Sequence, residues 1–320
     1  MDNEFIKALK ERVLVLDGGM GTSIQKYNLT EEDYRGEYFK NCMENQKGNN
    51  DLLSLTKPEI IEEIHRSFLE VGADIIETAT LNATSVYQKQ YSMENMAYDM
   101  NYNAAKLAKK VANEYSNMKN KRIFVAGSIG PTNKQASYNP KEYWEVHSDV
   151  LFKSYEEQIT ALINGGVDFL LVETVININN ANIALAAAEK VLDEKNIELP
   201  IILSATLTKK NSRRICGKSF KEFVSEIESK NLIGIGLNCS FAVEEIIDEI
   251  TDIATIDNRF IIIYPNAGLP NKNGIYSDTP KEIAQTMKAL IDNKIVNIVG
   301  GCCGTTPEHI KALVEIVTRR

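Results

Sequence analysis

The chain has 320 residues, 43% of them hydrophobic and only 8 of them proline, so it is long enough to bury a full hydrophobic core. Its formal charge of -8, from 36 basic and 44 acidic residues, argues against a nucleic-acid or anionic-membrane surface and favours small-molecule chemistry. No apolar stretch approaches the roughly 20 residues of a membrane span, and the N-terminus is not a signal peptide, so we expect a cytoplasmic protein. Five cysteines are an odd number, which favours metal-binding or reactive thiols over a disulfide framework.

Eight short runs rich in Val, Ile, Leu and Phe alternate with segments that have helical patterning. Continuous apolar runs of this length are typical of parallel strands buried on both faces. The predicted strands are residues 13–16, 74–78, 122–126, 167–172, 200–204, 232–237, 260–264 and 296–299. The predicted helices include residues 60–69, 152–163, 178–191, 220–229, 243–250, 280–291 and 307–317, the first with a capping box formed by Thr56 and Glu59.

Eight strand-then-helix units in a chain of this length predict a (β/α)8 TIM-type barrel, with a doubly wound open sheet as the alternative. We find no linker and no repeat beyond this unit, and expect residues 1–320 to form a single domain. Residues 28–51, rich in Glu, Tyr, Asn and Lys, are predicted to be an irregular stretch between the first strand and its helix. Loops of this size in compact domains are usually functional, so this one is expected to act as a lid or cover.

Polar residues follow the predicted strands at their C-terminal ends, where a barrel carries its active site. Two of them, Cys302 and Cys303, are adjacent in a Gly-Gly-Cys-Cys-Gly turn before a Thr-Thr-Pro-Glu helix start. Cys239 follows the sixth strand, and strands six and eight of a closed barrel lie on one arc, so the three thiols are predicted to converge. The full set of strand-end residues is Asp17, Glu77, Glu173, Asn238, Cys239, Asn266, Cys302 and Cys303.

Three cysteine ligands would leave the fourth tetrahedral position of a zinc ion open, as in catalytic rather than structural zinc sites. Three thiolates already make such a site net negative, so a substrate thiolate bound there would stay electron-rich and nucleophilic. A free thiol has a pKa of about 8.5, and direct coordination readily supplies the shift of roughly two units that ionises it at neutral pH. The residues therefore predict a zinc centre that activates a thiol.

Purely structural explanations stay open for the same residues. The cysteine pair could be small packing residues in a Gly-rich turn, and the Asp-Gly-Gly run at 17–19 could be only a turn. The two glutamates could pair with lysines at the barrel rim. The other cysteines, Cys42 and Cys216, are predicted to be small buried hydrophobic residues, and the three histidines are predicted to be ordinary helix residues.

Seven segments of the chain form a specific combination of motifs. They are Val-Leu-Asp-Gly-Gly-Met-Gly-Thr at 15–22, Gly-Asn-Asn-Asp-Leu-Leu at 48–53 with Lys-Pro at 57–58, Gly-Ala-Asp-Ile-Ile-Glu-Thr at 72–78, Gly-Pro-Thr-Asn at 130–133, Gly-Leu-Asn-Cys at 236–239, Pro-Asn-Ala-Gly-Leu-Pro at 265–270 and Gly-Gly-Cys-Cys-Gly-Thr-Thr-Pro at 300–307. Together they resemble the homocysteine S-methyltransferase family over essentially the whole chain. Within that family they are most similar to the N-terminal homocysteine-binding module of cobalamin-dependent methionine synthases.

The resemblance implies a zinc-bearing (β/α)8 barrel in which three cysteines bind the ion and homocysteine supplies the fourth ligand through its sulfur. The metal ligands map onto Cys239, Cys302 and Cys303. The family contacts the homocysteine amino group through acidic side chains and its carboxylate through backbone groups of the Gly-Gly run. Those substrate-binding residues map onto Asp17, Gly18, Gly19 and Glu173, with Glu77 and Asn238 as weaker candidates; no catalytic residue beyond the zinc site is implied.

The implied activity is attack of zinc-bound homocysteine thiolate on a methyl group, which makes methionine. Similar methionine synthases continue into folate-binding and cobalamin-binding modules, whereas this chain stops after the eighth helix. It also lacks an Asp-x-His-x-x-Gly pattern, the family's cobalamin-ligating signature. We therefore expect methylcobalamin on a separate module or chain, with cobalamin- and folate-binding modules as partners.

Three alternatives remain. The chain could be the homocysteine-binding module of a split or truncated methionine synthase, without activity alone. It could use S-methylmethionine as the donor or another thiol as the acceptor. It could also be a barrel whose zinc ion is purely structural.

Overall fold

The computed structural model describes residues 3–207, 215–227, 229–239, 246–272 and 274–318. Its main sheet has eight parallel strands: β1 (Leu14–Val15), β2 (Ile75–Glu77), β3 (Phe124–Ile129), β4 (Phe169–Val175), β5 (Ile201–Ala205), β6 (Leu232–Asn238), β7 (Phe260–Tyr264) and β8 (Ile298–Val299). The order is β1-β8-β7-β6-β5-β4-β3-β2. A parallel bridge between Leu16 and Ile75 brings β1 beside β2. The sheet is thus a nearly closed barrel, which confirms the predicted TIM-type fold, and the open-sheet alternative is wrong.

Helices alternate with the strands around the barrel. The described helices are α1 (Glu4–Glu11), α2 (Met20–Gln25), α3 (Glu31–Arg35), α4 (Leu53–Thr56), α5 (Pro58–Glu70), α6 (Ser85–Gln88), α7 (Ala97–Lys119), α8 (Ser148–Gly165), α9 (Ile178–Lys195), α10 (Phe220–Ser225), α11 (Ile247–Ala254), α12 (Pro280–Asp292) and α13 (Pro307–Thr318). Short 3-10 turns lie at Asn50–Leu52, Lys89–Tyr91 and Glu94–Met96, and a second, two-stranded sheet joins Gln135–Ser137 to Glu145–His147. None of the helices in this part of the chain has the length and apolarity that crossing a membrane requires.

The alternation of side chains along each strand separates two buried regions. On β4, Phe169 and Leu171 belong to the cluster inside the barrel, whereas Leu170 and Val172 belong to the cluster between barrel and helices. Both faces are apolar, which explains the continuous hydrophobic runs of the sequence. The same alternation directs Glu173, two residues after Leu171, toward the barrel interior at its C-terminal end.

Helix α1 closes the N-terminal end of the barrel. Asn3 caps the helix by accepting hydrogen bonds from two of its first backbone N–H groups. Its buried residues Phe5 and Leu9 join the interior cluster, and the ring of Phe5 stacks on Phe169 at 4.1 Å and meets Phe124 edge-on at 5.2 Å. The N-terminal mouth is therefore filled by aromatic packing.

Several local predictions are wrong. The capping box at Thr56 does not form, because Thr56 ends α4 and the next helix begins at Pro58 with Lys57 as its N-cap. The stretch 28–51 is not wholly irregular, since it contains α3, capped reciprocally by Thr30 and Asp33. The predicted helix 220–229 ends earlier, at Ser225, and residue 228 lies outside the described residues, as do residues 243–245 of the predicted helix 243–250.

Candidate metal centre

The Gly-Gly-Cys-Cys-Gly turn connects β8 to α13 and is tied to two other strand ends. The backbone N–H of Cys302 donates to Pro265 O at 2.8 Å, and that of Gly301 donates to Asp17 O at 3.1 Å. Thr305 Oγ1 donates to Cys302 O at 2.7 Å, which folds the turn back into the helix start. These bonds fix the position of the two adjacent thiols relative to β1 and β7.

The third thiol, Cys239, follows β6 directly and has a left-handed backbone with φ +48. The sulfurs of Cys239, Cys302 and Cys303 all lie within 4.8 Å of one another, and the first and last are 3.6 Å apart. Tetrahedral coordination with Zn–S bonds of about 2.3 Å would separate two ligand sulfurs by about 3.8 Å. The three predicted thiols therefore meet at a spacing that suits a metal ion.

Hydrogen bonds among the thiols also shift their pKa values. Hydrogen bonds with Cys239 and Cys302 lower the pKa of the Cys303 thiol to about 3, while a hydrogen bond with Cys239 and burial raise the pKa of Cys302 well above its usual value. The lowered pKa favours a thiolate at Cys303, and thiolate sulfur is the donor type that a soft or borderline cation prefers.

Glu173 lies at the C-terminal end of β4, close enough for its carboxylate to interact electrostatically with Cys303. It is 3% exposed and accepts hydrogen bonds from Ser128 Oγ and, at 3.2 Å, from Tyr264 Oη. Burial raises its pKa to about 7, although both hydrogen bonds act in the opposite direction. A buried carboxyl with such a pKa is poised to ionise when a cation arrives.

Two further acids lie beside Glu173. Asp17 Oδ2 accepts from the backbone N–H of Glu77 at 3.1 Å. Asp17 Oδ1 and Glu77 Oε1 are buried and have no hydrogen-bond partner among the described residues. Burial raises the pKa of both carboxyls well above the ordinary value, and the negative charge of Glu173 raises them further. Unpartnered buried oxygens of this kind point to a ligand with donor groups and positive charge.

A cavity of about 180 Å³ connects the thiols with two of these acids, Glu77 and Glu173, whereas Asp17 is not among its lining residues. Gly18 and Gly19 line it together with Glu77, Glu173 and the three cysteines. A Cβ on Gly19 would come within 2.7 Å of Cys302 O, and one on Gly18 within 2.8 Å of the Phe68 ring, so side chains are excluded at both positions. The cavity is smaller than the roughly 300–1,000 Å³ of pockets for drug-sized ligands and suits one small molecule.

The remaining predicted residues take different places. Asn238 is fully buried and its amide is engaged: Oδ1 accepts from Thr174 N at 3.0 Å and Ser204 Oγ at 2.8 Å, and Nδ2 donates to Thr174 Oγ1 at 2.8 Å. These hydrogen bonds hold the Glu173-Thr174 segment in position. Direct contact of Asn238 with a substrate stays a prediction. The Gly19 N–H donates to Thr305 Oγ1 at 3.1 Å.

Other residues of the site were missed by sequence reasoning. Asn266 was noted only as a strand-end residue; its Oδ1 accepts from the Cys303 N–H at 3.1 Å. Asp51, in the 28–51 stretch, lines the cavity and accepts from Asn82 N at 3.0 Å. Ser128 and Tyr264 carry no motif, because a single inward-facing hydroxyl does not disturb the apolar pattern of a strand. Of the two remaining cysteines, Cys216 is exposed, so the prediction that it is buried is wrong.

Comparisons with known proteins identify the family of this chain. A family model described as homocysteine S-methyltransferase matches residues 14–317. The oxidized form of the homocysteine methyltransferase MmuM from Escherichia coli has a TM-score of 0.75 and 19% identity, covering 98% of this chain and 99% of that chain. Its metallated form has a TM-score of 0.74 and 20% identity, covering 97% of each chain. At such identity the two structures show a shared fold, whereas the family model spans nearly all of the sequence. The chain therefore belongs to the homocysteine S-methyltransferase family, a family of methyltransferases.

Proposed function

We propose that this chain is a zinc-dependent homocysteine S-methyltransferase of the methionine synthase type, which makes methionine. The observation that carries the proposal is one small cavity with the three thiols on one side and the buried carboxyls of Glu77 and Glu173 on the other, where Glu77 Oε1 has no hydrogen-bond partner among the described residues. An amino acid with a thiol side chain would fit both sides of the cavity, because its sulfur can bind a metal ion and its ammonium group can neutralise the acids.

The chain's own residues would divide this work between them. Cys239, Cys302 and Cys303 would hold the zinc ion, which when bound supplies a coordination position that ionises the substrate thiol at neutral pH. Glu173 and Asp17 would bind the ammonium group. Glu77 would add a third acceptor, backbone groups at Gly18 and Gly19 would meet the substrate carboxylate, and Asn238 would hold Glu173 in place.

We further propose that the methyl group comes from methylcobalamin on a separate module or chain, with cobalamin- and folate-binding modules as partners. The small volume of the cavity supports this, since it suits homocysteine alone and a corrinoid would have to approach from outside. The whole chain would act as one domain. Free thiols at the centre suit the reducing conditions of the cytoplasm.

The test combines metal content with turnover. The purified chain should retain one zinc ion, and homocysteine should add one sulfur to the zinc shell in X-ray absorption. Methylcobalamin absorbance should then fall as methionine forms. Cys302→Ala should lose both zinc and turnover, whereas Cys216→Ala, an exposed thiol outside the centre, should keep both.

Other results of these measurements would contradict specific parts of the proposal. Stoichiometric zinc in the Cys302→Ala protein would overturn the ligand assignment. An unchanged zinc shell on adding homocysteine would mark a structural metal. Turnover only with S-methylmethionine, or with another thiol as acceptor, would replace the proposed donor or acceptor. Homocysteine binding without transfer from any donor would leave a binding module that is inactive alone.

A further inference from the structure

A second cavity adjoins the cavity of the metal centre. It has a volume of about 280 Å³, and Glu173 lines both cavities. Its other lining residues include the Gly-Pro-Thr-Asn motif at 130–133, Gln135 and Trp144 at the two-stranded sheet, and residues at the start of α9. The proposed function assigns no role to this motif or to this sheet. A ligand in this side cavity would lie next to the proposed homocysteine site.

The two-stranded sheet forms a fixed wall of the side cavity. Asn180, on α9, accepts a hydrogen bond from the Ala136 N–H at 2.9 Å through Oδ1 and donates to Lys134 O at 2.8 Å through Nδ2. The Gln135 N–H donates to Trp144 O at 2.7 Å. These bonds hold the sheet against α9 in the free protein, so little ordering entropy would be lost when a ligand binds there.

Exposed apolar side chains surround this wall. In the segment that connects the two strands, Tyr138 is 89% exposed, Tyr143 is 83% exposed and Trp144 is 44% exposed. They are three of the five large exposed aromatic residues in the described part of the chain. Ile176, directly after β4, is 46% exposed and lines the side cavity with Trp144. A concentration of exposed apolar residues beside a cavity is typical of a binding surface.

The polar side chains of the side cavity are mostly neutral amides. The amide residues in its lining are Asn133, Gln135, Asn177 and Asn180. Among the described residues, Lys134 and Glu173 are the charged ones that line it. Lys134 Nζ already donates to Tyr143 O and lies 5.6 Å from the centre of the Tyr143 ring, and Glu173 is assigned to the substrate ammonium group in the proposed function. The side cavity thus offers amides and aromatic surface.

This lining distinguishes between three classes of methyl donor. A folate carries glutamate carboxylates, which would require cations that the lining does not offer. A sulfonium donor is positively charged and would require a carboxylate besides Glu173. A corrinoid has a flat ring with an apolar face and carboxamide side arms, which form hydrogen bonds with other amides without any charge. The corrinoid is therefore the donor class that this lining fits.

We propose that the patch formed by Tyr138, Tyr143, Trp144 and Ile176 is the docking surface for the corrin ring of the methyl donor, with one carboxamide arm in the side cavity. A whole corrin ring is too large for 280 Å³, so the ring lies over the patch and an arm alone enters. Because Glu173 lines both cavities, the docked ring is beside the homocysteine site. This inference rests on the proposed function and specifies where its donor binds.

The experiment measures corrinoid binding in the absence of methyl transfer. Dicyanocobinamide has the corrin ring and its amide arms but carries no methyl group, and its absorption overlaps tryptophan emission. When bound at the patch, it should shorten the fluorescence lifetime of Trp144, the single tryptophan of the chain. Titration of the lifetime gives a Kd and is insensitive to light absorbed by unbound ligand.

Two tyrosine variants locate the bound ring. Tyr143→Ala should weaken dicyanocobinamide binding roughly tenfold, because it removes aromatic surface on which the ring packs. Tyr38→Ala is the matched control, since Tyr38 is 85% exposed but belongs to the stretch 28–51, and its Kd should stay within about twofold of wild type. An unchanged lifetime at millimolar ligand would overturn the proposal. So would equal weakening by both substitutions, because the ring would then not be specific to the patch.

A second corrinoid tests the amide arm. Dicyanocobyrinic acid has the same ring with carboxylates in place of the amides, and it should bind at least tenfold more weakly than dicyanocobinamide. The comparison is made at high salt, which screens the net negative charge of the chain. Equal affinity for the two corrinoids would overturn the role of the side cavity. None of these results depends on zinc, homocysteine or turnover, so a failure here is distinct from a failure of the proposed function, which is measured by methionine formation.

Discussion

Buried carboxyls lie at both ends of the barrel, and their pKa values are shifted in opposite directions. At the N-terminal end, Asp74 is bound by Arg12 Nη2 at 2.7 Å and by Lys121 Nζ at 2.7 Å. Burial alone would raise its pKa, but these cations outweigh burial and hold the pKa below the ordinary value. At the C-terminal end, no cation of the described residues is among the charges that shift the pKa values of Glu77 and Glu173, and both pKa values are raised.

The comparison separates a carboxylate whose charge stabilises the fold from carboxyls whose charge remains available to a ligand. A carboxylate that the protein neutralises itself contributes to stability and has little left to offer a substrate. Carboxyls that stay unneutralised oppose folding and gain from any cation that enters. This division predicts different effects for substitutions at Asp74, Glu173 and Glu77.

The largest expected effect is the loss of stability in Asp74→Asn. The substitution removes the charge that Arg12 and Lys121 face, and we expect a loss of roughly 3 kcal/mol in the free energy of unfolding at pH 7, measured by urea titration. Because the folded pKa is depressed, this contribution is present above the unfolded value of about 3.9 and is lost as the pH falls through the folded value. Zinc and homocysteine binding should not change. A loss below about 1 kcal/mol would contradict the structural role.

Next in size is the effect of Glu173→Gln on homocysteine affinity. Loss of one hydrogen bond between charged groups, about 2 kcal/mol, should weaken binding roughly 30-fold. The carboxyl of the free protein has a pKa of about 7, and an ammonium group favours its ionised form, so wild type should release about one proton more than the variant at pH 6. Calorimetry in two buffers of different ionisation enthalpy measures this difference. Glu37→Gln, at an exposed position, is the control.

Equal proton release by wild type and Glu173→Gln would contradict the assignment. It would mean that Glu173 does not change its charge when the substrate binds. The ammonium site would then have to be assigned to Asp17 or Glu77 alone.

The smallest expected effect is a gain of stability in Glu77→Gln. Its folded pKa is raised, so the carboxyl destabilises the fold increasingly as the pH rises above the unfolded value of about 4.3. Without homocysteine, the variant should be more stable by roughly 1 kcal/mol at pH 7 and indistinguishable from wild type at pH 4. Thermal unfolding at both pH values measures this. A destabilised variant at pH 7 would reveal a cation that neutralises Glu77 in the protein.

Much of the fold could be predicted because each strand is apolar on both faces. The eight predicted strands all exist, and the convergence of Cys239 with the cysteine pair followed from the arc that β6 and β8 share. By contrast, α7 was not predicted, since its buried face is built largely of alanines such as Ala104 and Ala108, which give a weak periodic signal.

Within the site, sequence reasoning found the ends of strands but not the contacts between them. The hydroxyl of Tyr264 reaches Glu173 across the barrel, from a residue 91 positions later in the chain. Asn238 is the last residue of β6, yet its amide oxygen accepts from Thr174 on β4, two strands away, and from Ser204 on β5. Such pairings depend on how strands stagger around the barrel, which no local pattern reports.

The aromatic packing of Phe5 at the N-terminal mouth has a consequence for the order of events. With that mouth filled, the substrates and the product of the proposed reaction would all have to use the C-terminal face. A donor protein docked on this face would block the exit behind it. Turnover should therefore follow a compulsory sequence, with homocysteine first to enter and methionine last to leave, and a docked but spent donor would trap the product.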